Sequence, residues 1–322
     1  MGIASFIKEI GRGAAGARSL SVDAAHTLMA TVLDGGASDL EVGAFALAMR
    51  MKGESLDELC GFLHAVQERS LAVTTDRPVV VIPSYNGARR LPNLTPLLAM
   101  WLAQEGARVL VHGQLHDGSQ ERARVTSAEI FHDLGLPPAQ NEADIASAWA
   151  RREPAFVPTV LLCAPLQKLL DVRWAVGVRN SGHTVAKMLD PCRGAPTLRL
   201  ASFTHPEFGA LLGAWAQREA VNVMLLRGTE GEAVADPRRQ PRIDTWVAGE
   251  PLAEASVAAQ DGVVAEMPLL PRENDAATTA LYIQSVLSGE KPAPAPLVRQ
   301  VQAVMCALEA IEAARPVLGK TA

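Results

Sequence analysis

Two arginines follow the first apolar, β-branched run of the chain. The run at residues 78–83 ends in a turn that carries Arg89 and Arg90. After an intervening helical stretch, a second apolar run at residues 108–111 ends at His112. In open α/β sheets, ligands bind at the carboxyl ends of the parallel strands, where both of these turns would lie. The basic side chains predict that the ligand is an anion.

Further basic residues are grouped in the middle of the chain, and arginine suits phosphate because its planar fork donates two parallel hydrogen bonds. Any one basic pair, taken alone, is more simply interpreted as solvated surface charge. Together they form a candidate set for binding phosphate groups. The set is Arg89, Arg90, His112, Arg179, Lys187, Arg193, Arg227, Arg238 and Arg239.

Motifs of other chemistries are missing from the sequence. There is no G-x-S-x-G nucleophile motif, no P-loop and no dinucleotide-binding glycine motif. His112 and His116 have the spacing of helical metal ligands, but Gly113 and Gly118 place them in a loop. The four cysteines are far apart and are interpreted as reduced thiols. We expect no catalytic residue, no metal and no cofactor.

The first part of the chain is predicted to be helical. Residues 3–70 carry apolar residues at helical spacing, and Ser38 with Glu41 and Ser55 with Glu58 form capping boxes. From residue 78 the pattern changes to short β-branched runs that alternate with helices. This alternation predicts an α/β domain with a central, largely parallel sheet.

The predicted domains follow from this change of pattern. A small all-helical domain, the expected dimerisation domain, covers residues 1–75, with helices from about 165–190 as a candidate addition, and the α/β domain covers residues 76–322. Strands are expected at 78–83, 108–112, 158–163, 197–203, 221–227 and 242–247. Helices are expected near 95–105, 126–134, 165–175, 206–219, 275–288 and 297–315.

The overall charge argues mildly against a nucleic-acid partner. The chain has 30 basic and 35 acidic residues and a formal net charge of −5, whereas nucleic-acid-binding domains are usually basic. A polyanion responds to the local field, however, and the basic residues are grouped.

No apolar run is long enough to span a bilayer, and residues 1–18 have no signal-peptide pattern. We expect a cytoplasmic protein without a membrane partner.

The order of several short motifs resembles the anthranilate phosphoribosyltransferase superfamily, which includes the pyrimidine nucleoside phosphorylases. Residues 44–58 are similar to that family's A-F-L-x-A-L-R-x-K-G-E-T-x-E-E, and residues 127–135 to its S-A-D-V-L-E-A-L-G. Residues 177–191 parallel its G-I-R…L-N-P, and residues 286–290 its I-L-x-G-E. Each motif is weak alone, but their order implies the phosphoribosyltransferase-like fold.

The family's loop for phosphoribosyl pyrophosphate is altered here. Its G-T-G-G-D glycines let backbone N–H groups close on the pyrophosphate. The corresponding residues Ser84, Tyr85, Asn86 and Gly87 retain one glycine, and Tyr85 is expected to occupy the space that the phosphates need. The N-I-S-T segment that follows is reduced to Asn93 and Thr95, and the K-H-G-N segment, at residues 111–114, loses its lysine.

The family's magnesium segment is altered as well. The motif H-G-x-D-G-L-D-E supplies an Asp–Glu pair for the ion, but here Ala233 and Val234 stand in place of the pair. Magnesium requires hard oxygen ligands. Glu230 and Glu232 are near in sequence and could replace the pair only through a shift in register, which we do not expect.

This combination is similar to the YbiB-type branch of the superfamily. The resemblance implies a dimeric protein that has lost transferase chemistry and binds nucleic acid without regard to sequence in a basic groove. We therefore expect DNA or RNA backbone as the partner, DNA first, and a homodimer. The rival hypothesis is an active phosphoribosyl or glycosyl transferase with an unidentified acceptor. A third is a scaffold for a protein partner.

Overall fold

The computed structural model describes residues 2–13, 16–119 and 123–315 of the chain. Its α-helices are α1 (Ala4–Ile10), α2 (Val22–Leu33), α3 (Asp39–Lys52), α4 (Leu56–Gln67), α5 (Thr95–Gln104), α6 (Ser127–Asp133), α7 (Glu142–Ala150), α8 (Thr159–Leu162), α9 (Ala164–Val176), α10 (Ser181–Ala186), α11 (Pro206–Arg218), α12 (Ala276–Leu287) and α13 (Ala295–Ala313). Its strands are β1 (Val73–Thr74), β2 (Val79–Ser84), β3 (Arg108–Gly113), β4 (Ala155–Pro158), β5 (Cys192–Arg193), β6 (Thr197–Ser202), β7 (Val223–Leu226), β8 (Ile243–Val247) and β9 (Glu250–Pro251).

The N-terminal helices begin where the sequence predicts. Ser38 and Ser55 each accept a hydrogen bond from the backbone N–H three residues later, and Glu41 and Glu58 complete the two capping boxes. These contacts satisfy N–H groups that a helix start otherwise leaves unpaired. Helices α2 and α4 pack closely against each other. The prediction of a helical N-terminal domain is confirmed.

The central sheet is largely parallel, as predicted. Seven strands of the described residues are ordered β4-β3-β2-β6-β7-β8-β9, and the first five are parallel. Strands β8 and β9 continue the sheet in antiparallel fashion. Consequently the carboxyl ends of β2, β3, β6 and β7 lie side by side at one edge.

The strand expected at residues 158–163 is wrong. The edge strand β4 covers Ala155–Pro158 and ends there, and Thr159–Leu162 form a short helix. Proline lacks an N–H for the ladder and is therefore tolerated at a sheet edge or strand end. Helix α7 was also missed by the sequence analysis. Its N-cap is Asn141, whose side chain accepts from the Asp144 N–H.

Both faces of the sheet are buried, with side chains alternating along each strand. Val79 and Val81 of β2 belong to a core shared with the N-terminal helices, α9 and α11. Val80 and Ile82 belong to a second core against α5, α6, α12 and α13. The fold therefore has three layers.

Helices α9 and α10 connect the two parts of the molecule. Helix α9 packs on α2 and α3, and α10 packs on α3 and α4. The end of α10 lies beside the carboxyl edge of the sheet, because the side chain of Lys187, which follows α10, reaches the carbonyl of Gly231 after β7. The connection between α9 and α10 is close to the same edge, since Arg179 interacts electrostatically with Glu232. In the described parts of the chain, no helix is long and apolar enough to cross a membrane.

Candidate functional site

Three loops and one helix junction meet at the carboxyl edge of the sheet. Residues 84–93 follow β2, residues 114–119 follow β3, residues 227–232 follow β7, and residues 177–180 join α9 to α10. This is the edge where open α/β sheets bind ligands.

The loop after β2 directs backbone N–H groups at an internal carboxylate. Gly87 has a φ of +59°, and the neighbouring Ala88 pairs with Val125. Glu232 Oε1 accepts from the N–H groups of Asn86 at 2.7 Å and Gly87 at 2.8 Å. A carboxylate of the chain itself therefore occupies the position that an anionic ligand of this loop would take.

A second carboxylate binds the next part of the same loop. Glu230 Oε1 accepts from the N–H groups of Arg90 at 2.8 Å and Leu91 at 3.0 Å, and Glu230 Oε2 lies 3.3 Å from the N of Arg89. The Arg124 guanidinium lies 3.6 Å from Glu230 and donates to the carbonyl of Gly87 at 3.3 Å. Together Glu230 and Glu232 bind the N–H groups of five residues of the loop.

An unusual backbone conformation aims these carboxylates at the loop. Glu230 has a φ of +51°, and Gly231 has a φ of +90°. The Gly231 carbonyl accepts from Asn86 Nδ2 at 2.5 Å, Ser202 Oγ at 2.6 Å and Lys187 Nζ at 3.4 Å. A left-handed conformation at a residue with a side chain persists when its surroundings hold it.

The two residues expected in place of the family's metal ligands point into the core. Ala233 and Val234 are fully buried, and the Gln300 side chain binds the carbonyl of Ala233 and the N–H of Ala235. Within the described ranges, no group of three His, Cys, Asp or Glu side chains is placed to hold a metal ion. Glu230 and Glu232 instead bind backbone N–H groups.

A buried polar network supports the loop from below. The hydroxyl groups of Ser84 and Ser127 lie 2.7 Å apart, and Asn93 donates to Ser127 at 3.1 Å. Asn93 also accepts from the N–H of Thr95, whose hydroxyl donates to Glu232 Oε2 at 3.2 Å. These side chains hold the loop in place. Because they are buried, a large ligand cannot contact them directly.

Two expectations about this loop must be corrected. Tyr85 does not fill the phosphate space: its ring is buried against His112, and the two side chains hydrogen-bond at 2.8 Å. His112 is fully buried, and burial lowers its pKa to about 3. His112 is therefore neutral and is not part of a cationic surface.

Four basic side chains lie near one another beside the loop, and we call Arg124, Arg173, Arg179 and Lys187 the basic cluster. Burial, then Arg173 and Arg124, lowers the pKa of Arg179 to about 10, against an opposing effect of Glu232. Burial, then Arg179, lowers the pKa of Lys187 to about 8. Such mutual repulsion favours binding of an anion.

The basic cluster adjoins an exposed aromatic ring. Trp174 is 42% exposed, and the Arg173 guanidinium stacks over it at 4.2 Å. The ring lies against Gly118, where an added Cβ would come within 2.7 Å of it. Trp174 therefore joins α9 to the loop after β3 at the rim of the site.

The remaining predicted basic residues do not all lie together. Arg89, Arg90 and Arg227 are exposed at the carboxyl edge, and their side chains have no hydrogen-bond or ion-pair partner among the described residues. Arg193 lies at the opposite end of the strands, because its strand β5 pairs with β1 just before β6 begins. It bonds to nearby carbonyls instead.

Arg238 and Arg239 follow the buried segment 233–235. Asp236 holds Arg238 through two bonds of 3.1 and 3.2 Å, which raise the pKa of this guanidinium. Its charge is therefore already paired. Arg239 is exposed, and neither side chain bonds to loop 84–93 in the structure as described. The predicted set of nine residues thus separates into two groups. The site group is Arg89, Arg90, Arg179, Lys187 and Arg227, and the outlying members are His112, Arg193, Arg238 and Arg239.

The site list drawn from the sequence missed several residues that the fold brings in. Arg124 and Arg173 belong to the basic cluster, and Glu230 and Glu232 bind the loop. The only feature of the sequence that drew attention to Glu230 and Glu232 was their position beside the altered metal segment. Their actual partners, backbone N–H groups some 140 residues earlier in the chain, follow only from the fold.

Comparison with known proteins agrees with the fold. Residues 4–70 match the model of the glycosyl transferase family, helical bundle domain. The uncharacterized protein YbiB of Escherichia coli (strain K12) is 39% identical over 311 residues, covering 96% of this chain and 94% of that protein. The anthranilate phosphoribosyltransferase of Chromohalobacter salexigens is 24% identical over 279 residues, covering 86% of this chain and 80% of that protein.

A solved structure shares the fold along almost the whole chain. Anthranilate phosphoribosyltransferase from Saccharomyces cerevisiae in complex with PRPP and Mg superposes with a TM-score of 0.70 at 13% sequence identity, over 96% of this chain and 89% of that one. At this identity the likeness concerns the fold alone.

Proposed function

Because the chain belongs to the anthranilate phosphoribosyltransferase-like family, we propose that it uses this fold to bind nucleic acid, DNA first, without regard to sequence. The binding surface is a basic groove at the position of the family's phosphoribosyl-pyrophosphate site. The observation that carries the proposal is that carboxylates of the chain already bind the backbone N–H groups of the loop, while arginine side chains of the same loop are exposed. The N–H groups at the loop are bound by Glu230 and Glu232, whereas the side chains of Arg89 and Arg90 are exposed.

The basic cluster extends this surface toward the helical domain. Arg173, Arg179 and Lys187 come from α9, α10 and their surroundings, while Arg124 comes from the α/β domain. Arginine forks grip phosphate oxygens without a metal ion. Trp174 adds an exposed ring on which a base of a single strand can stack. Phosphate contacts of this kind position a protein on a backbone and carry no sequence information.

The alternative function is an active phosphoribosyl or glycosyl transferase, which family membership favours. The two functions differ in the small ligand that they require. We predict that phosphoribosyl pyrophosphate with magnesium gives no saturable heat in calorimetry at millimolar concentration, because carboxylates occupy the loop and Ala233 and Val234 replace the metal ligands. In parallel, plasmid and single-stranded DNA should both shift in gels at low salt.

Micromolar, magnesium-dependent binding of phosphoribosyl pyrophosphate would favour the transferase instead. Absence of a gel shift with either DNA, at salt concentrations down to 50 mM, would remove the nucleic-acid proposal. Failure of both ligands would leave the protein-scaffold hypothesis.

We also propose a homodimer formed through the helical domain. Along α3, Leu40, Ala44, Leu47 and Met51 form one exposed apolar stripe, with Leu40 85% and Met51 77% exposed. The stripe borders a surface cavity of about 670 Å³ that Ile7 and Ile10 also line. A second copy would cover this surface, since two-fold dimers are the commonest assembly. Two grooves on one particle would increase avidity for a long polymer.

Replacing Leu47 and Met51 by glutamate should convert the dimer to a monomer, because charges would then be buried in the contact. Light scattering should give twice the chain mass of 34.2 kDa for the parent and the chain mass for the variant. Leu281→Glu, on exposed Leu281 of α12 in the other domain, is the control and should remain dimeric. A monomeric parent at micromolar concentration would exclude the dimer.

A further inference from the structure

Backbone N–H groups of one short loop converge on two side chains of the chain itself. Asn86 and Gly87 donate to Glu232, and Arg90 and Leu91 donate to Glu230 at 2.8 and 3.0 Å. Successive N–H groups that face one concavity form an anion-binding nest. We propose that Glu230 and Glu232 act as internal ligands that hold the anion nest of loop 86–91 closed, and that removal of their carboxylates opens it to a phosphoryl anion.

The carboxylates fit the role of a substitute ligand. A carboxylate, like a phosphoryl group, offers several oxygen acceptors to N–H donors. Glu232 is 1% exposed, and in the described structure no cationic side chain lies within ion-pair distance of it. Burial of a charge costs free energy unless hydrogen bonds compensate for it. Here the compensation comes from the two N–H groups and the hydroxyl of Thr95 at 3.2 Å, and the positive charges of Arg179 and Lys187 add to it.

The backbone that carries the carboxylates is adapted to deliver them. Glu230 adopts a left-handed φ of +51°, which costs free energy for a residue with a Cβ. At Gly231 a Cβ would come within 2.3 Å of Asn86 Nδ2, and at Gly228 within 1.7 Å of the Glu232 carbonyl. Two glycines and one strained residue therefore bring residues 228–232 against the loop.

The closed nest allows the site to discriminate between small phosphorylated anions and the phosphates of a polymer. A free phosphate or diphosphate would need the N–H groups, which the carboxylates already bind. The phosphates of a polymer can instead be reached by the exposed side chains of Arg89 and Arg90, which project from the same loop. Glu230 and Glu232 are then specificity determinants that exclude small phosphorylated anions. This inference goes beyond nucleic-acid binding, and its test uses no nucleic acid.

The test compares two double variants of the 322-residue chain, with inorganic pyrophosphate as the probe, at constant ionic strength. Glu230→Ala with Glu232→Ala removes the carboxylates and opens the nest. Glu230→Gln with Glu232→Gln removes the same charge but leaves amide oxygens that still accept from the loop. Calorimetry should give binding to the alanine variant that is at least about tenfold tighter than to the parent or the glutamine variant, the factor expected from one charge-assisted hydrogen bond.

Thermal melting provides a second readout. Formate and pyrophosphate should each raise the melting temperature of the alanine variant in a saturable way, because ligands that bind only the folded state stabilise it. The inference is overturned if the folded alanine variant binds no more tightly than the parent, or if the glutamine variant gains affinity equally. If the double alanine variant does not fold, Glu230→Ala alone is used. If that variant also fails, absence of refolding in formate or pyrophosphate overturns the inference.

Discussion

An increase in salt from 50 to 200 mM is expected to lower the affinity for duplex DNA by about a thousandfold, if about six side chains contact phosphates. Each contact releases condensed counterions, so log affinity falls with log salt by about 0.9 per contact. The exposed Arg89, Arg90 and Arg227 and the basic cluster supply enough cations for this number. Fluorescence anisotropy with a labelled duplex at a series of salt concentrations measures the slope.

Duplexes of unrelated sequence should give the same slope and similar affinities, because phosphate contacts carry no sequence information. An affinity that stays constant over this range of salt would mean that the basic groove makes no phosphate contacts. A strong preference for one sequence would require contacts to base edges and would contradict binding through phosphates alone.

Acidification is expected to destabilise the fold through two buried histidines. His112 and His183 both have a pKa lowered to about 3, by burial in each case, with Arg179 and Arg173 adding to the effect at His183. The unfolded chain binds a proton at each of them near pH 6.5, whereas the folded chain does not until about pH 3. Stability is therefore fully present above pH 6.5 and is lost as the pH falls between these values.

The loss should be on the order of 1 kcal/mol per pH unit for each histidine in that window. Urea unfolding at pH 7 and pH 5 measures it. His112→Gln should make the free energy of unfolding less dependent on pH, although it also lowers stability at pH 7 by loss of packing. His132→Gln is the control, because His132 is exposed on α6. Equal pH dependence in the parent and His112→Gln would contradict a neutral, buried His112.

The sequence predicts the elements of this fold well because their signals are local. The capping boxes at Ser38 and Ser55 determine where α3 and α4 begin. Buried parallel strands such as β2 appear as short apolar runs between turns. Strand β4 was misplaced because residues 155–163 form one apolar stretch, and only the pairing with β3 determines where the strand ends.

The site is less predictable because it depends on contacts distant in sequence. Nothing near Glu232 indicates that its carboxylate binds Asn86 and Gly87. Tyr85 occupies a loop position in the sequence, yet its ring is buried in the core, where its hydroxyl hydrogen-bonds to His112. Arg193 belongs to a basic group in sequence, but the pairing of β5 with β1 places it at the far end of the strands.

The nucleic-acid proposal is tested most directly by comparing two adjacent arginine pairs. Arg89 and Arg90 lie at the carboxyl edge of the sheet, whereas Arg151 and Arg152 precede β4 at its amino edge and are also exposed. Alanine at both positions of either pair removes the same charge. We predict that the Arg89 and Arg90 variant binds all duplexes more weakly and flattens the salt slope by about two units, while the Arg151 and Arg152 variant binds as the parent does. Equal slopes for both variants and the parent would contradict binding at this site.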